Sequence, residues 1–550
     1  MRAVGILIVA VACSGGPTKI GGQPSWRQGT QLRSSASAAA RGGAVTFTPG
    51  SPASATYGDS STRAPSTALG DAIGVAVADA ARVAGIPAPV LDGRLFTAAE
   101  ELAAVVPDEG VIAYSLVEFA MQRQGIIEPS PHLLVVWGPL DDPRAIVDQL
   151  APRIPELLAA GATARLGVGA ARRSDTGEGV LVFALQGSAV EIKPVPRALP
   201  TGGVIRIQGK VHAPFIDPEL FVTREDGSVS RLASAGKTPA EFAADVDCGA
   251  RVGRQQIEVT AVDATGSTVL ANFPVWCNQA APTSISVDTT IDSGPIKDGP
   301  EAEQRLLALV NRDRAAVGLP ILIWDDRVAE VSRAHSREMQ ATGVVAHVSP
   351  ATGTAADRTK AAGILTGAVL ENVARAYGIG EAHDGLMNSP GHRANLMSGI
   401  ATHVGVGVVL GDDVAGRREL FVTQVFIRIP PAIDPSAAAA AIHAKLKTVR
   451  DSSTDPVLES AAQKVADKLA AGMTKDKAWV EARHTLDGLA SKYRRIGSVQ
   501  TAVSDLDAIT GEALLGSYNA DMVGVGVAQG PHPDIGEGAI WIVLLLGERR

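Results

Sequence analysis

At 550 residues the chain is too long for one hydrophobic core, and roughly three to five domains are expected. Hydrophobic residues make up 46% and aromatics only 4%, so the cores must rest on Ala, Val, Leu and Ile. A formal charge of -8 with no block of Lys and Arg leaves no basic face to replace phosphate counterions, which argues against a nucleic-acid partner.

In chain order, Met1-Arg2 supplies a positive charge and Ala3 to Ala12 is apolar apart from Gly5. That run is too short to span a bilayer and has the length of a signal-peptide core. Ala10-Val11-Ala12-Cys13 followed by Ser14-Gly15-Gly16 resembles a bacterial lipobox, with Ala10 where Leu is usual. Residues 1–13 are therefore read as an export signal. Cys13 would be acylated, and its lipid would be the only membrane contact. An ordinary secretory signal with an incidental Cys is the alternative. Residues 14–67, rich in Gly, Ser, Pro, Ala and Thr without apolar periodicity, read as a disordered tether. If Cys13 carries lipid, Cys248 and Cys277 are left as one disulfide, which persists only in an oxidising compartment; a buried pair of free thiols is the other reading.

Two stretches match without a gap: Gly85-Ile86-Pro87-Ala88-Pro89-Val90-Leu91-Asp92-Gly93-Arg94-Leu95 and Gly318-Leu319-Pro320-Ile321-Leu322-Ile323-Trp324-Asp325-Asp326-Arg327-Val328. Val404-Gly405-Val406-Gly407 is echoed by Leu166-Gly167-Val168-Gly169 and Val523-Gly524-Val525-Gly526. Each echo is followed by a polar turn and a final apolar strand: Leu420 to Phe426, Val180 to Leu185, and Ala539 to Leu546. The last is too short to cross a membrane. Three related α/β units follow, at 68–192, 301–430 and 436–550; chance similarity of Ala-rich helices is the competing explanation. Between the first two units, at 195–280, the runs 204–211, 220–223, 242–246, 256–262 and 269–276 alternate like strands, with a turn at Glu225-Asp226-Gly227-Ser228. They predict an immunoglobulin-like β-sandwich stapled by Cys248 and Cys277. Residues 281–300 read as a linker.

Only the 301–430 unit keeps a polar constellation. Helical spacing predicts helices over about 301–317 and 326–342, followed by Ala346-His347-Val348-Ser349-Pro350, Leu370-Glu371-Asn372, and Ser389-Pro390-Gly391-His392-Arg393-Ala394-Asn395. In order and spacing these stretches resemble bacterial members of the CAP superfamily, the cysteine-rich secretory, antigen 5 and pathogenesis-related proteins. Ala346 and Leu370 stand where Ser and Gly are usual. The resemblance implies a three-layer α-β-α sandwich, with one such unit at 301–430, two degenerate CAP-like units beside it and the β-sandwich, in a mixed α/β multidomain chain. It also implies a central cleft in which His347, Glu371 and His392 would hold a divalent metal such as Zn2+. Ser389 falls where the family's second Glu stands, and Glu381 and His383 lie nearby.

Imidazole and carboxylate suit zinc, and three ligands leave a position open for water. Without metal, Glu371 would orient a His as general base. Alternatively, His347, Glu371 and His392 hydrogen-bond with Asn372 and Asn395 only to organise the loops. His403 reads as a surface residue. The flanking units lack these motifs. The sequence thus predicts an extracytoplasmic, secreted or lipid-anchored protein of a bacterial cell envelope. Its central cleft would bind lipid, cell-wall material or a protein. A metal-dependent hydrolase of peptide or envelope polymer and a structural or adhesive scaffold are the two other readings.

Overall fold

The computed structural model describes the backbone of Ala10–Ala12 and residues 44–550 apart from 60–62, 107–111, 139, 153, 160–162, 173–176, 178, 289–294, 415–416 and 490. Cys13 and residues 14–43 lie outside the described residues.

The first unit comprises α1 (Ala68–Ala84), β1 (Val90–Leu91), α2 (Gly93–Ala103), α3 (Tyr114–Arg123), β2 (His132–Trp137), β3 (Thr163–Arg172) and β4 (Gly179–Gly187), with two further short helices before β3. Its sheet runs β1-β3-β4-β2, with β1 parallel to β3 and the other pairs antiparallel. Ile73 and Val77 of α1 pack with Leu181 and Phe183 on one face, and Leu95 and Leu102 of α2 with Val180 and Val182 on the other.

A β-sandwich follows: β5 (Val204–Val211), β6 (Ile216–Thr223), β7 (Val229–Leu232), β8 (Glu241–Asp247), β9 (Gly253–Asp263) and β10 (Gly266–Cys277). One sheet runs β7-β6-β9-β10 and the other contains β8-β5. Ile207, Val222, Phe242 and Phe273 fill the space between them. A buried disulfide, Cys248–Cys277, joins the end of β8 to the end of β10 across the two sheets.

The third region contains α4 (Gly299–Ala316), β11 (Ile323–Trp324), α5 (Asp326–Thr342), α6 (Ala355–Ala361), β12 (Val369–Ala376), α7 (Ile379–Asn388), α8 (Pro390–Leu396), β13 (His403–Val414) and β14 (Arg417–Ile427). Its sheet order is β11-β13-β14-β12. Val404, Val406 and Val408 pack toward Leu306 and Val310 of α4, while Val328 and Val331 of α5 meet Val425 and Ile427. The last unit has α9 (Pro435–Val449), β15 (Ser453–Thr454), α10 (Pro456–Ala470), β16 (Tyr493–Val503), β17 (Met522–His532) and β18 (Gly536–Arg549), with sheet order β15-β17-β18-β16. Residues 539–546 lie within β18, and among the described residues no helix is long and apolar enough to cross a membrane.

The same local device recurs in all three α/β units. A short strand pairs parallel to a long one and ends in an aspartate whose N–H donates to that long strand: Asp92 to Leu166, Asp325 to Val404, Asp455 to Val523. Each aspartate side chain then accepts from two N–H groups of the helix it caps. The long strand carries glycines because the helix backbone lies against it. A Cβ at Gly405 would stand 2.1 Å from Ala329 N and one at Gly407 2.2 Å from Arg333 N; at Gly169 and Gly526 the nearest helix atoms would be 2.0 and 2.3 Å away.

Two composition-based readings are corrected. The tether read over 14–67 is ordered in its later part: Ala44–Phe47 pairs antiparallel with Ile285–Asp288, inside the stretch read as a linker, and Thr56–Tyr57 pairs with Val195–Pro196. Single aromatic anchors overcome the polar composition. Phe47 stacks edge-on with Phe119 at 6.3 Å, and fully buried Tyr57 lies 4.9 Å from Phe273.

Gly407→Ala should lower the unfolding free energy by roughly 1–3 kcal/mol, because backbone rather than a flexible side chain has to move. Urea denaturation of the full chain measures this, and an unchanged midpoint would contradict so close a packing of α5 on β13.

Candidate functional site

His347 lies in the loop between α5 and α6. His335, on α5, holds that loop from below through Nε2 to the Ala346 carbonyl at 2.7 Å, and the Ser349 and Gly353 backbones close it with two bonds of 2.9 Å. The loop continues into α6, where Thr354 and Asp357 form a capping box. That cap presents Arg358 back toward the loop, where its guanidinium donates to the carbonyls of His347 and Gly353 and to Glu371 Oε1.

Glu371, on β12, is thus held from two sides. Its Oε2 lies 2.7 Å from His347 Nδ1 and its Oε1 takes Arg358. Burial alone would raise this carboxyl; the bond with His347 and the Arg358 charge outweigh it and hold the group below the usual carboxylate range. His347 Nε2 is buried without a hydrogen-bond partner among the described residues.

His392 belongs to a second cluster. Pro390 opens the short helix α8, and one turn of it brings His392 Nδ1 within 2.6 Å of Ser389 Oγ. Asn372 and Asn395 tie the two clusters together. Asn395 Nδ2 donates to the Glu371 carbonyl at 2.9 Å and to Asn372 Oδ1 at 3.0 Å, and Asn372 Nδ2 donates to the His392 carbonyl at 3.3 Å. His383 is turned away, paired with Asp313 at 2.7 Å. Glu381 accepts from the Tyr377 N–H at the start of α7. His403 sits half-buried against Thr402 at the start of β13.

A residue that the sequence reading passed over completes the site. Glu258, on β9 of the sandwich, accepts from Ser389 Oγ through Oε2 and from the Gly391 N–H at 2.8 Å through Oε1. It is fully buried; burial pushes its carboxyl up to about 7 against the lowering effect of those two donors. Beside it, the Thr265 carbonyl in the β9–β10 turn accepts from the His347 and Val348 N–H groups at 3.2 and 3.0 Å. The sandwich therefore lies over the site, and His347, Glu371, Ser389 and His392 are each at most 2% exposed. Glu258 alternates with Gln256 and Thr260 along β9, a pattern that reads as a solvent-facing row; only the docked neighbour buries it.

The residues do not fit a zinc site in this arrangement. Both carboxylate oxygens of Glu371 are committed, one to a guanidinium standing where a cation would be wanted. Among the described residues no group of three or more His, Cys, Asp or Glu converges as a ligand set. Nor is the acid–Ser–His chain ordered for nucleophile activation. In an activated serine the His lies between the acid and the hydroxyl, whereas here Ser389 lies between Glu258 and His392.

Residues 307–426 match the model of the cysteine-rich secretory protein family, CAP, so the chain carries a CAP domain. Over 108 residues, 20% of this chain, it is 38% identical to the "uncharacterized membrane protein YlbC" of Bacillus subtilis (strain 168) and 34% identical to the "uncharacterized protein YkwD" of the same organism. The match spans 31% and 42% of those relatives' lengths. A solved extracellular protein containing an SCP domain, from Bacillus anthracis str. Ames, aligns over 41% of this chain and 78% of its own at 22% identity, with a TM-score of 0.22.

Arg358→Ala leaves the Glu371 charge buried beside His347 alone, and should cost about 3–5 kcal/mol at neutral pH. The loss should shrink as pH falls, first as the orphaned carboxyl of the variant takes up a proton, and then as the wild type loses its own ion pair through its depressed Glu371 pKa. Chemical denaturation at several pH values tests this; a small cost at neutral pH would mean that the guanidinium is dispensable.

Proposed function

We propose that the chain is an extracytoplasmic binding protein of the cell envelope, in which the His/Glu constellation of the CAP unit serves as an internal joint rather than as a hydrolytic centre. The observation that carries this reading is Glu258. A carboxyl from a different domain is buried against Ser389 and Gly391 at the place where the family resemblance expects a glutamate from within the unit. With the sandwich seated over the site, both histidines are at most 2% exposed. The carboxyl of Glu371 is balanced by Arg358 instead of by a metal.

On this reading the units at 68–192 and 436–550 are CAP-like units without a site, kept for shape and for binding surface. Their shared aspartate cap and glycine-bearing strand support that kinship. The relative whose printed name calls it a membrane protein, together with the apolar run at 3–12, supports export. Anchoring through lipid on Cys13 belongs to the same proposal. Metabolic labelling with a palmitate analogue should mark the wild-type chain and leave Cys13→Ser unlabelled, and labelling of neither would remove the anchor.

The joint has a pH signature. Folding raises the Glu258 carboxyl from its ordinary value to about 7, so the native state binds the extra proton. Its stabilising contribution is complete below the unfolded pKa, and is lost as pH rises through the folded pKa. The difference amounts to about 3 kcal/mol. In Glu258→Gln, which keeps the shape and cannot titrate, the melting temperature should vary less across this window than in the wild type. Superimposable pH profiles of the two proteins in calorimetry would refute the joint.

A further inference from the structure

The first unit, the sandwich and the CAP domain meet around a cleft of about 170 Å³. Gly125, at a φ of +73°, ends α3 and turns the chain into the segment 126–131 that leads to β2. That segment is pinned to the sandwich, where the Asn272 N–H of β10 donates to the Ile127 carbonyl at 2.7 Å. One wall of the cleft comes from α3 and this segment. Val269 and Asn272 of β10 form the second, and Ala374 and Ala376 of β12 with Ala382 of α7 the third. Of the His/Glu constellation, only Ser389 is among the described residues that line it.

The polar atoms left over on the first wall are hydrogen-bond acceptors. Glu128 is buried and gives Oε1 to Arg165 and to the Ser188 hydroxyl, while its Oε2 is buried with no hydrogen-bond partner among the described residues. The Ser130 Oγ, two residues on, is buried and unpartnered in the same way. A carboxylate oxygen out of water without a donor is costly, so N–H groups brought by a ligand are held there. Charge points the same way. Among the described residues, Glu118, Glu128 and Glu381 line the cleft against a single guanidinium, Arg375, which is already paired with Glu419. Burial and the Arg375 charge lower His132 to about 4, so its imidazole is neutral near pH 7. Glu118 accepts from the Tyr114 hydroxyl at 3.0 Å and from Asn388 Nδ2 at 3.4 Å. Burial raises its carboxyl to about 7, helped by Asp384 of α7 and opposed by Arg254 of β9 and the Tyr114 hydroxyl.

We propose that this three-domain cleft binds a small primary ammonium ion, held by Glu128 Oε2, the Ser130 hydroxyl and the Glu118 carboxylate. Its short alkyl chain lies on Val269, Ala374 and Ala382. At about 170 Å³ the cleft is smaller than the roughly 300–1,000 Å³ of drug-sized sites, so the ligand is a free small amine. A metal ion is disfavoured, because among the described residues no three His, Cys, Asp or Glu converge. This gives the binding-protein reading a ligand class, and rests on that reading only for where the amine is met.

Isothermal titration calorimetry of the full-length chain with butylammonium chloride tests the cleft. A saturable site with a dissociation constant on the order of 1 mM or below is expected. Butanol and butyrate should bind at least about tenfold more weakly. Glu118→Gln keeps the shape of the side chain and should weaken butylammonium about tenfold. Glu128→Gln should weaken it as much; if loss of the Arg165 partner unfolds that variant, Ser130→Ala, with a loss of about threefold, takes its place. The ligand needs Glu118 ionised, so affinity in the wild type should fall about fivefold from pH 7 to pH 6, and Glu118→Gln should not show that fall. No saturable heat at tens of millimolar overturns the proposal, as does equal affinity for butanol. Displacement of the amine by Ca2+ at lower concentration overturns it in favour of a metal site. Tighter binding of Nα-acetyl-lysine amide than of butylammonium overturns the free amine in favour of a lysine side chain. A cleft that fails while the pH profile still flattens in Glu258→Gln leaves the joint standing, and the reverse result leaves the ammonium site.

Discussion

A carboxyl group taken out of water between two domains has to find its hydrogen-bond donors in the neighbour, and Glu258 does so in the Ser389 hydroxyl and the Gly391 N–H. Neither donor is in the sandwich, so that domain satisfies its own buried polar group only when the CAP domain is seated on it. Once this contact is made, the adjacent ones follow from the geometry of β9 and β10. The Thr265 carbonyl reaches the His347 loop, and Asn272 Nδ2 reaches the Asn388 carbonyl at 3.1 Å. Asn388 Nδ2 in turn contacts Glu118 of the first unit at 3.4 Å. Three domains are linked through a few side chains around the C-terminal end of α7.

This arrangement gives the polar constellation two halves with different charge logic. In one, a depressed carboxylate, Glu371, is neutralised by Arg358 and shares a bond with His347. In the other, Glu258 holds its proton up to about 7 and passes its hydrogen bonding through Ser389 to His392. Asn372 and Asn395 connect the halves through backbone carbonyls, which fixes the strand and the helix relative to each other without moving charge. A network tied this closely at Glu371, Ser389 and Glu258 favours rigidity over turnover, with His347 Nε2 left without a hydrogen-bond partner among the described residues.

How much of this could be read from the sequence depended on whether a residue's role is decided locally. The helix read at about 326–342 matches Asp326–Thr342, because its apolar spacing is a local signal. The strands of the sandwich were legible as alternation: the run 204–211 matches its strand end to end, the other four runs lie inside longer strands because backbone pairing continues where side chains turn polar, and Val229–Leu232 was not read. His347, Glu371 and His392 were found through motif order, and the structure places all three in one buried region, yet in two clusters instead of one ligand set. Glu258 was not legible. On an isolated strand a polar residue at every second position means water, and nothing in β9 announces that a second domain will cover that face. Phe47 and Tyr57 failed for the same reason: their anchoring partners are distant in sequence.

The device common to the three α/β units shows which signals backbone packing demands. Asp92, Asp325 and Asp455 each join a two-residue strand to a helix, donating from the backbone to the long strand and accepting at the helix N-terminus. The glycines two residues apart on that long strand allow the helix to lie against it. Both features are demands of backbone packing, so any sequence that keeps the sheet and the helix in contact has to keep them, whatever else it changes. The polar constellation carries no such demand. It can be missing from the first and last units without loosening their cores. In the CAP unit it can even be completed by a carboxyl from another domain, since what the buried Ser389 and His392 require is an acceptor in place and not an acceptor from their own chain segment. That freedom binds the CAP unit to the sandwich: separated from it, Ser389 loses the carboxyl it donates to, and His392 the far end of its hydrogen-bond chain.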